Sequence, residues 1–298
     1  MGTTKGHIVI DLVNRFCYSD TTMTMTISNL DELKKLAVTL RKDIIQMTGA
    51  AGSGHPTSSL STVEILTTLF FQVLRHDPKR PDWPDRDRFI LSKGHAAPAL
   101  YAVLARSGYF PADRLTTLRK LDSPLQGHPE RHRIGGVEAS TGSLGQGISI
   151  GIGMALAGRL DRKDYRVYVM TGDGELDEGQ VWEAAMYAGN RGLDNLTVIV
   201  DHNQAQQDGW VKDIMDLSPL GDKWTAFKWH AIEIDGHDWD QVSKAFSEAM
   251  ATKGKPTAII ARTVKGKGVS FMENRPDLHG IPPTPEQVEQ ALRELDQR

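Results

Sequence analysis

Two short segments of this chain carry residue types that bind metal and phosphate when they meet. Gly172-Asp173-Gly174-Glu175 follows one apolar run, and Asp201-His202-Asn203 closes the next. A carboxylate, an amide oxygen and a nearby main-chain carbonyl are hard donors suited to Mg2+ or Ca2+, whose other positions are typically filled by water and phosphate oxygens. Gly174 has no Cβ, so the backbone there can approach an anion closely. Gly-Asp-Gly alone is also an ordinary turn. With Asn203, 30 positions after Asp173, the composite reads as a metal and diphosphate site. Four histidines sit beside glycine or proline: Gly54-His55-Pro56, Gly94-His95, Gly127-His128-Pro129 and His279-Gly280. One such histidine is commonly a packed or surface residue. Four in turns suit a polyol, because imidazole donates, accepts and exchanges a proton near neutral pH. The stretch S-T-G-S-L-G-Q-G from Ser140 to Gly147 opens a helix of small residues. Its glycines can bring N–H groups and a helix N-terminus onto a phosphate, and they can equally permit tight packing; both readings stand.

The elements that must position these residues follow from periodicity. Leu30, Leu33, Leu36, Ala37, Leu40, Ile44 and Met47 recur at helical spacing, with Ser28 and Asp31 as a start signal and Gly49 as the stop. Ser61 and Glu64 have capping-box spacing for a second helix reaching about Leu74. A polar, proline-rich loop, 76–87, comes next. Beyond it strands are expected at 89–92, 166–171, 196–201, 231–234 and 257–263, alternating with helices at 96–107, 146–160, 178–191 and 239–252. Thr284, Pro285 and Gln287 supply an N-cap, an N1 proline and a capping-box partner for a last helix. This alternation predicts an α/β fold: one doubly wound domain over 28–298, its mostly parallel sheet covered by helices on both faces. Such sheets bind ligands at the carboxyl ends of their strands. A right-handed strand, helix, strand unit brings Asp173 and Asn203 to the same edge. Residues 1–27, rich in Thr and Met and without a sustained period, are expected to form a weakly ordered extension, with Met23 or Met25 as an alternative start.

Composition excludes several classes. The chain has 298 residues, 39% hydrophobic and 24% charged, ample for a buried core in one large domain or two small ones. Lys and Arg number 35 against 38 Asp and Glu, a formal net charge of −3, which offers no attraction to nucleic acid or an anionic membrane. The one cysteine, Cys17, has no intrachain partner, as in a reducing, cytoplasmic compartment. The longest small-apolar stretch, Ile148 to Gly158, is far below the roughly 20 residues of a spanning helix. The N-terminus lacks the clean apolar run of a signal peptide.

The motifs in combination resemble the transketolase family, in particular the separately encoded N-terminal subunit of a split transketolase. They are S-G-H-P, S-K-G-H-A-A-P-A-L-Y, G-H-P-E, G-V-E-A-S-T-G-S-L-G-Q-G, G-D-G-E-L-D-E-G-Q-V-W-E-A, D-H-N, T-V-K-G-K-G and D-L-H-G, spread over roughly Leu30 to Pro283. The resemblance implies the fold that binds the diphosphate of thiamine diphosphate. It implies that Asp173, Asn203 and the Ala205 carbonyl hold Mg2+ or Ca2+, and that Gly174, Glu175 and His95 lie at the diphosphate. Gly142, Ser143 and Leu144 would line the coenzyme nearer its middle. His55, His128 and His279 would face the sugar: His55 and His279 assisting proton movement on its hydroxyls, His128 bonding the ketol end. Glu178 matches a carboxylate at the family's dimer interface, linking two active sites.

Three departures stand out: Thr57 where the family usually has Gly, Ser143 where proline is common, and Ala205 where a larger apolar residue is usual. Thr57 is expected to alter the entrance around His55. The activity implied is transfer of a two-carbon ketol unit from a ketose phosphate to an aldose phosphate. The part that holds the aminopyrimidine ring in the family is not in this sequence. The resemblance therefore implies a C-terminal partner subunit within a two-plus-two heterotetramer, with sites between chains. The α subunit of a 2-oxo acid dehydrogenase shares the G-D-G to Asn pattern but gives no reason for the Gly-His-Pro histidines. Two further readings compete with it: deoxyxylulose-phosphate synthase, which shares more of the fold, and a noncatalytic subunit that binds coenzyme.

Overall fold

Strand-forming apolar runs and amphipathic helices alternate along the chain as the periodicity requires, and the computed structural model describes residues 26–297. Helices α1 (Leu30–Ala51), α2 (Pro56–Leu60), α3 (Val63–Thr68), α4 (Ala97–Arg106), α5 (Gln146–Leu160), α6 (Gly179–Arg191), α7 (Val211–Ile214), α8 (Leu220–Ala226), α9 (Trp239–Ala251) and α10 (Pro285–Asp296) surround the strands. These are β1 (Arg88–Leu91), β2 (Val167–Gly172), β3 (Leu196–His202), the short β4 (Ala205–Gln206) and β5 (Gly209–Trp210), β6 (His230–Asp235) and β7 (Thr257–Arg262). Five strands form one sheet in the order β1-β2-β3-β7-β6, every pair parallel. The other two form a small antiparallel hairpin.

Alternate strand residues feed two cores, as a sheet covered on both faces demands. Leu91, Tyr168, Met170, Ile199 and Ile259 pack with α1, α3, α4, α9 and α10. Ile90, Val167, Val169, Val198 and Ile260 pack with α5, α6 and α8. The doubly wound architecture expected from sequence is the one observed. Among the described residues no helix is long and apolar enough to cross a membrane. The expectation for residues 1–27 falls outside the described residues except at its end, where the Ile27 N–H donates to the Phe71 carbonyl at 3.0 Å.

Several boundaries differ from those the sequence suggests. The α1 cap is Asn29, whose side chain accepts from the Asp31 N–H, rather than Ser28. The helix runs through Gly49 and stops at Gly52 (φ 57°), where a left-handed turn needs glycine. Ser61 and Glu64 form no capping box, because each side chain is committed elsewhere. The Ser61 hydroxyl donates to Asp201, Glu64 binds Arg41, and the second helix starts earlier than expected, as α2, then continues as α3 and a π-turn, Leu69–Val73. The Thr284 and Gln287 capping box of α10 is present as expected.

Candidate active site

The carboxyl ends of β1, β2, β3 and β7 release Lys93 and His95, Asp173, Asn203, and Lys265 respectively on one edge. The β2–β3 register pairs Gly172 with Asp201, so Asp173 and Asn203 emerge side by side, and the Asp173 N–H donates to the Asp201 carbonyl at 3.3 Å. Asp173 is buried and accepts from the Gly174 N–H at 2.9 Å and from the Gln204 N–H. Burial first, then the neighbouring Asp201, pushes its carboxyl up to about 7. The Asn203 amide is oriented from both sides: Nδ2 donates to Asp201 at 2.8 Å and Oδ1 accepts from the Ala205 N–H at 3.1 Å. Its oxygen is therefore on the side from which Ala205 leaves. One carboxylate, one fixed amide oxygen and the main chain at Ala205 can hold a hard divalent cation. A cleft of about 110 Å³ opens beside Asp173, lined also by His202, Gln204, Lys212 and Asp216.

The histidines converge. Ring centroids are 5.1 Å apart for His55 and His95, 5.2 Å for His55 and His279, and 5.1 Å for His95 and His279. Burial first, then nearby cations, lowers all three: His55 to about 4, His279 to about 3 and His95 well below its ordinary value. At neutral pH these rings are uncharged hydrogen-bonding groups. His55 Nδ1 is buried and has no partner, leaving one polar atom for a ligand. His128, exposed, lies against Gly142, whose absent Cβ would meet the imidazole at 3.0 Å; burial and then Arg119 lower it. The structure thus brings together His55, His95 and His279, with His128 on the adjoining loop.

Two N–H groups of the glycine-rich segment are engaged within the fold. The Gly145 N–H donates to Glu175 Oε1 at 2.8 Å and the Gly147 N–H to Ser92 Oγ at 3.1 Å, so neither is directed at a ligand. A Cβ on Gly147 would lie 2.3 Å from Ser92 Oγ, and one on Gly151 would lie 2.6 Å from Val169; here the tight-packing reading holds. Glu175, expected at the coenzyme, has both oxygens engaged internally, by Ser92 and Gly145 on one and Gly172 on the other. It ties α5 to the ends of β1 and β2. Thr57 lines no open surface: it is fully buried and its hydroxyl is 3.4 Å from the Leu278 carbonyl. Ser143 and Glu178 are exposed, and the Leu144 carbonyl accepts from Gln180 at 3.2 Å.

Four site residues escaped the sequence reading. Asp201, wholly buried, accepts from Ser61, Asn203, Thr263 and Lys93. Lys93, itself buried, also donates to the Ser58 carbonyl at 3.0 Å. Lys265 donates to Ser58 Oγ at 3.0 Å. Arg119 donates to Ser53 at 2.8 Å and acts electrostatically on His55 and His128. The two lysines stood inside the motifs S-K-G-H and T-V-K-G-K-G, which was the available signal.

Fold and site define a doubly wound α/β protein with a histidine-lined centre at the carboxyl edge of its sheet, where Asp173 and Asn203 emerge side by side. Residues 32–296 match the family described as transketolase, thiamine diphosphate binding domain. The chain is 46% identical over 265 residues to a 6-deoxy-6-sulfo-D-fructose transketolase subunit of Clostridium sp. (strain MSTE9), covering 89% of this chain and 96% of that one. It is 45% identical over 266 residues to one subunit of the apulose-4-phosphate transketolase of Actinobacillus succinogenes, with the same coverage. The solved transketolase of Campylobacter jejuni aligns at a TM-score of 0.86 and 35% identity, over 90% of this chain but 43% of its own, so the present chain spans less than half of that enzyme. The chain belongs to the transketolase family and corresponds to its N-terminal, thiamine diphosphate-binding part.

Proposed function

We propose that this chain is the diphosphate-holding subunit of a two-chain transketolase. It moves a two-carbon ketol unit from a ketose phosphate, or a ketose with another anionic end group, to an aldose phosphate. The observation that carries this reading is the meeting of His55, His95 and His279 within 5.2 Å, centroid to centroid, on the edge that also carries Asp173 and Asn203. A metal and diphosphate site alone fits any thiamine enzyme. Three neutral imidazoles beside it suit a substrate with several hydroxyls, and this argues against a 2-oxo acid dehydrogenase.

Thiamine diphosphate, when bound, supplies the electron sink for breaking a carbon–carbon bond beside a carbonyl. Asp173, the Asn203 amide oxygen and the Ala205 carbonyl would hold Mg2+ or Ca2+, and Gly174 and His95 would lie at the diphosphate. Lys93 and Lys265 supply positive charge on the same side. His55 and His279 orient the sugar hydroxyls, His55 passing protons between neutral partners, and His128 bonds the ketol end from the loop beside Gly142. The partner is a chain supplying the aminopyrimidine-binding part. The assembly proposed is two-plus-two, with sites between chains and Glu178 facing the interface; the compartment proposed is the cytoplasm.

The test is a ketol-transfer assay with thiamine diphosphate, Mg2+, xylulose 5-phosphate and ribose 5-phosphate, using this chain alone and mixed with its C-terminal partner. Turnover only in the mixture is expected. Full turnover by this chain alone, or 2-oxo acid decarboxylation by the mixture in its place, overturns the proposal.

A further inference from the structure

Lys265 is 1% exposed just past the carboxyl end of β7. Its ammonium donates to Ser58 Oγ at 3.0 Å and lies 3.2 Å from Nδ1 of His279. An ammonium has three donors and no acceptor, so any hydrogen-bonding atom facing it must accept. In a neutral imidazole only one nitrogen accepts, and the other carries the proton. With Nδ1 committed to Lys265, the proton belongs on Nε2.

We propose that Lys265 is a positioning residue that locks His279 in the Nε2–H tautomer, so that the ring offers the site a hydrogen-bond donor and never a base. The surroundings agree. A protonated His279 would turn an N–H toward the ammonium; burial, then Lys265, His55 and Lys93, oppose that charge. Ser58 holds the lysine in place, and its own carbonyl is held by Lys93. The other charged or titratable groups acting on the pair are Asp201, Asp173, His55 and Lys93, with His95 in ring contact with His279. The catalytic meaning, a donor aimed at a sugar oxygen, rests on the function proposed above; the tautomer itself does not.

The experiment is long-range 1H–15N correlation of the full chain labelled with 15N-histidine, the His279 signals identified by their loss in His279→Asn. It needs neither coenzyme, partner nor turnover, so its failure is separable from failure of the functional reading. The expected result is one Nε2–H species at pH 7, still unprotonated at pH 5. Lys265→Met should convert it to a mixture of tautomers that protonates nearer pH 6.5, and Lys265→Arg, which also only donates, should restore the single species. An Nδ1–H tautomer in the wild-type chain, protonation of wild-type His279 near 6.5, or an unchanged spectrum in Lys265→Met overturns the proposal. If Lys265→Met does not fold, the wild-type spectra decide alone.

Discussion

His55, His95 and His279 each lose basicity chiefly because a charged imidazole is desolvated there, with neighbouring cations adding to the effect. The unfolded chain takes up these protons near the ordinary 6.5, whereas folded His55 resists until about 4 and His279 until about 3. Stability from this source is therefore complete above pH 6.5 and declines as the pH falls from there toward those values. The melting temperature of the chain should drop between pH 7 and pH 4, and His279→Asn should make the drop smaller. The difference between the two proteins isolates the histidine, since every other group titrates in both. A drop of equal size in both would show that His279 is protonated in the fold. The histidines were legible at the sequence level because glycine and proline neighbours mark turns. Asp201 and Lys265 were not, because their chemistry depends on complete burial, and nothing in a single sequence distinguishes a buried lysine from the usual surface one.

Helices and strands were legible from a run of small or apolar residues, as in α5 and β3, or from a period joined to a cap, as in α10. The reading failed where a polar side chain had a tertiary task stronger than its local one. Ser61 and Glu64 have capping spacing, yet Glu64 joins α3 to α1 through two bonds from Arg41, at 2.7 and 2.8 Å. His237, beyond β6, lies 3.1 Å from the same carboxylate through Nδ1, while its Nε2 accepts from the Val264 N–H at 2.9 Å. Burial alone would raise Glu64, but Arg41 and His237 outweigh it and hold it at about 2. This clamp fixes the residue preceding Lys265. Glu64→Ala leaves a buried guanidinium without its carboxylate and is predicted to destabilise the fold by about 3–5 kcal/mol, read from chemical denaturation. A loss under about 1 kcal/mol would mean that Arg41 finds water or another partner, since exposed pairs contribute only that much. The glycine-rich segment before α5 shows the same limit: spacing allowed a phosphate cradle throughout, and at Gly145 and Gly147 the Glu175 and Ser92 bonds decide for packing.

At the scale of the whole molecule, the parallel sheet gathers its chemistry on one edge. Four strands deliver a carboxylate, an amide, two lysines and a histidine there, and loops from elsewhere in the chain add His55, His128 and His279. Family membership rests on nearly the whole described chain, from residue 32 to 296, and the wrapping of β2, α6 and β3 explains why two residues 30 positions apart share one site. This edge is proposed to hold thiamine diphosphate through a divalent cation. Calorimetric titration of the coenzyme into the complex of this chain with its partner, with and without Mg2+, tests it most directly. Binding is expected to require Mg2+ and to weaken by at least about 10-fold in Asp173→Ala, since even outer-shell changes at metal sites cost about 10–100-fold. Equal binding without the metal, or unaltered metal-dependent binding in Asp173→Ala, would contradict it.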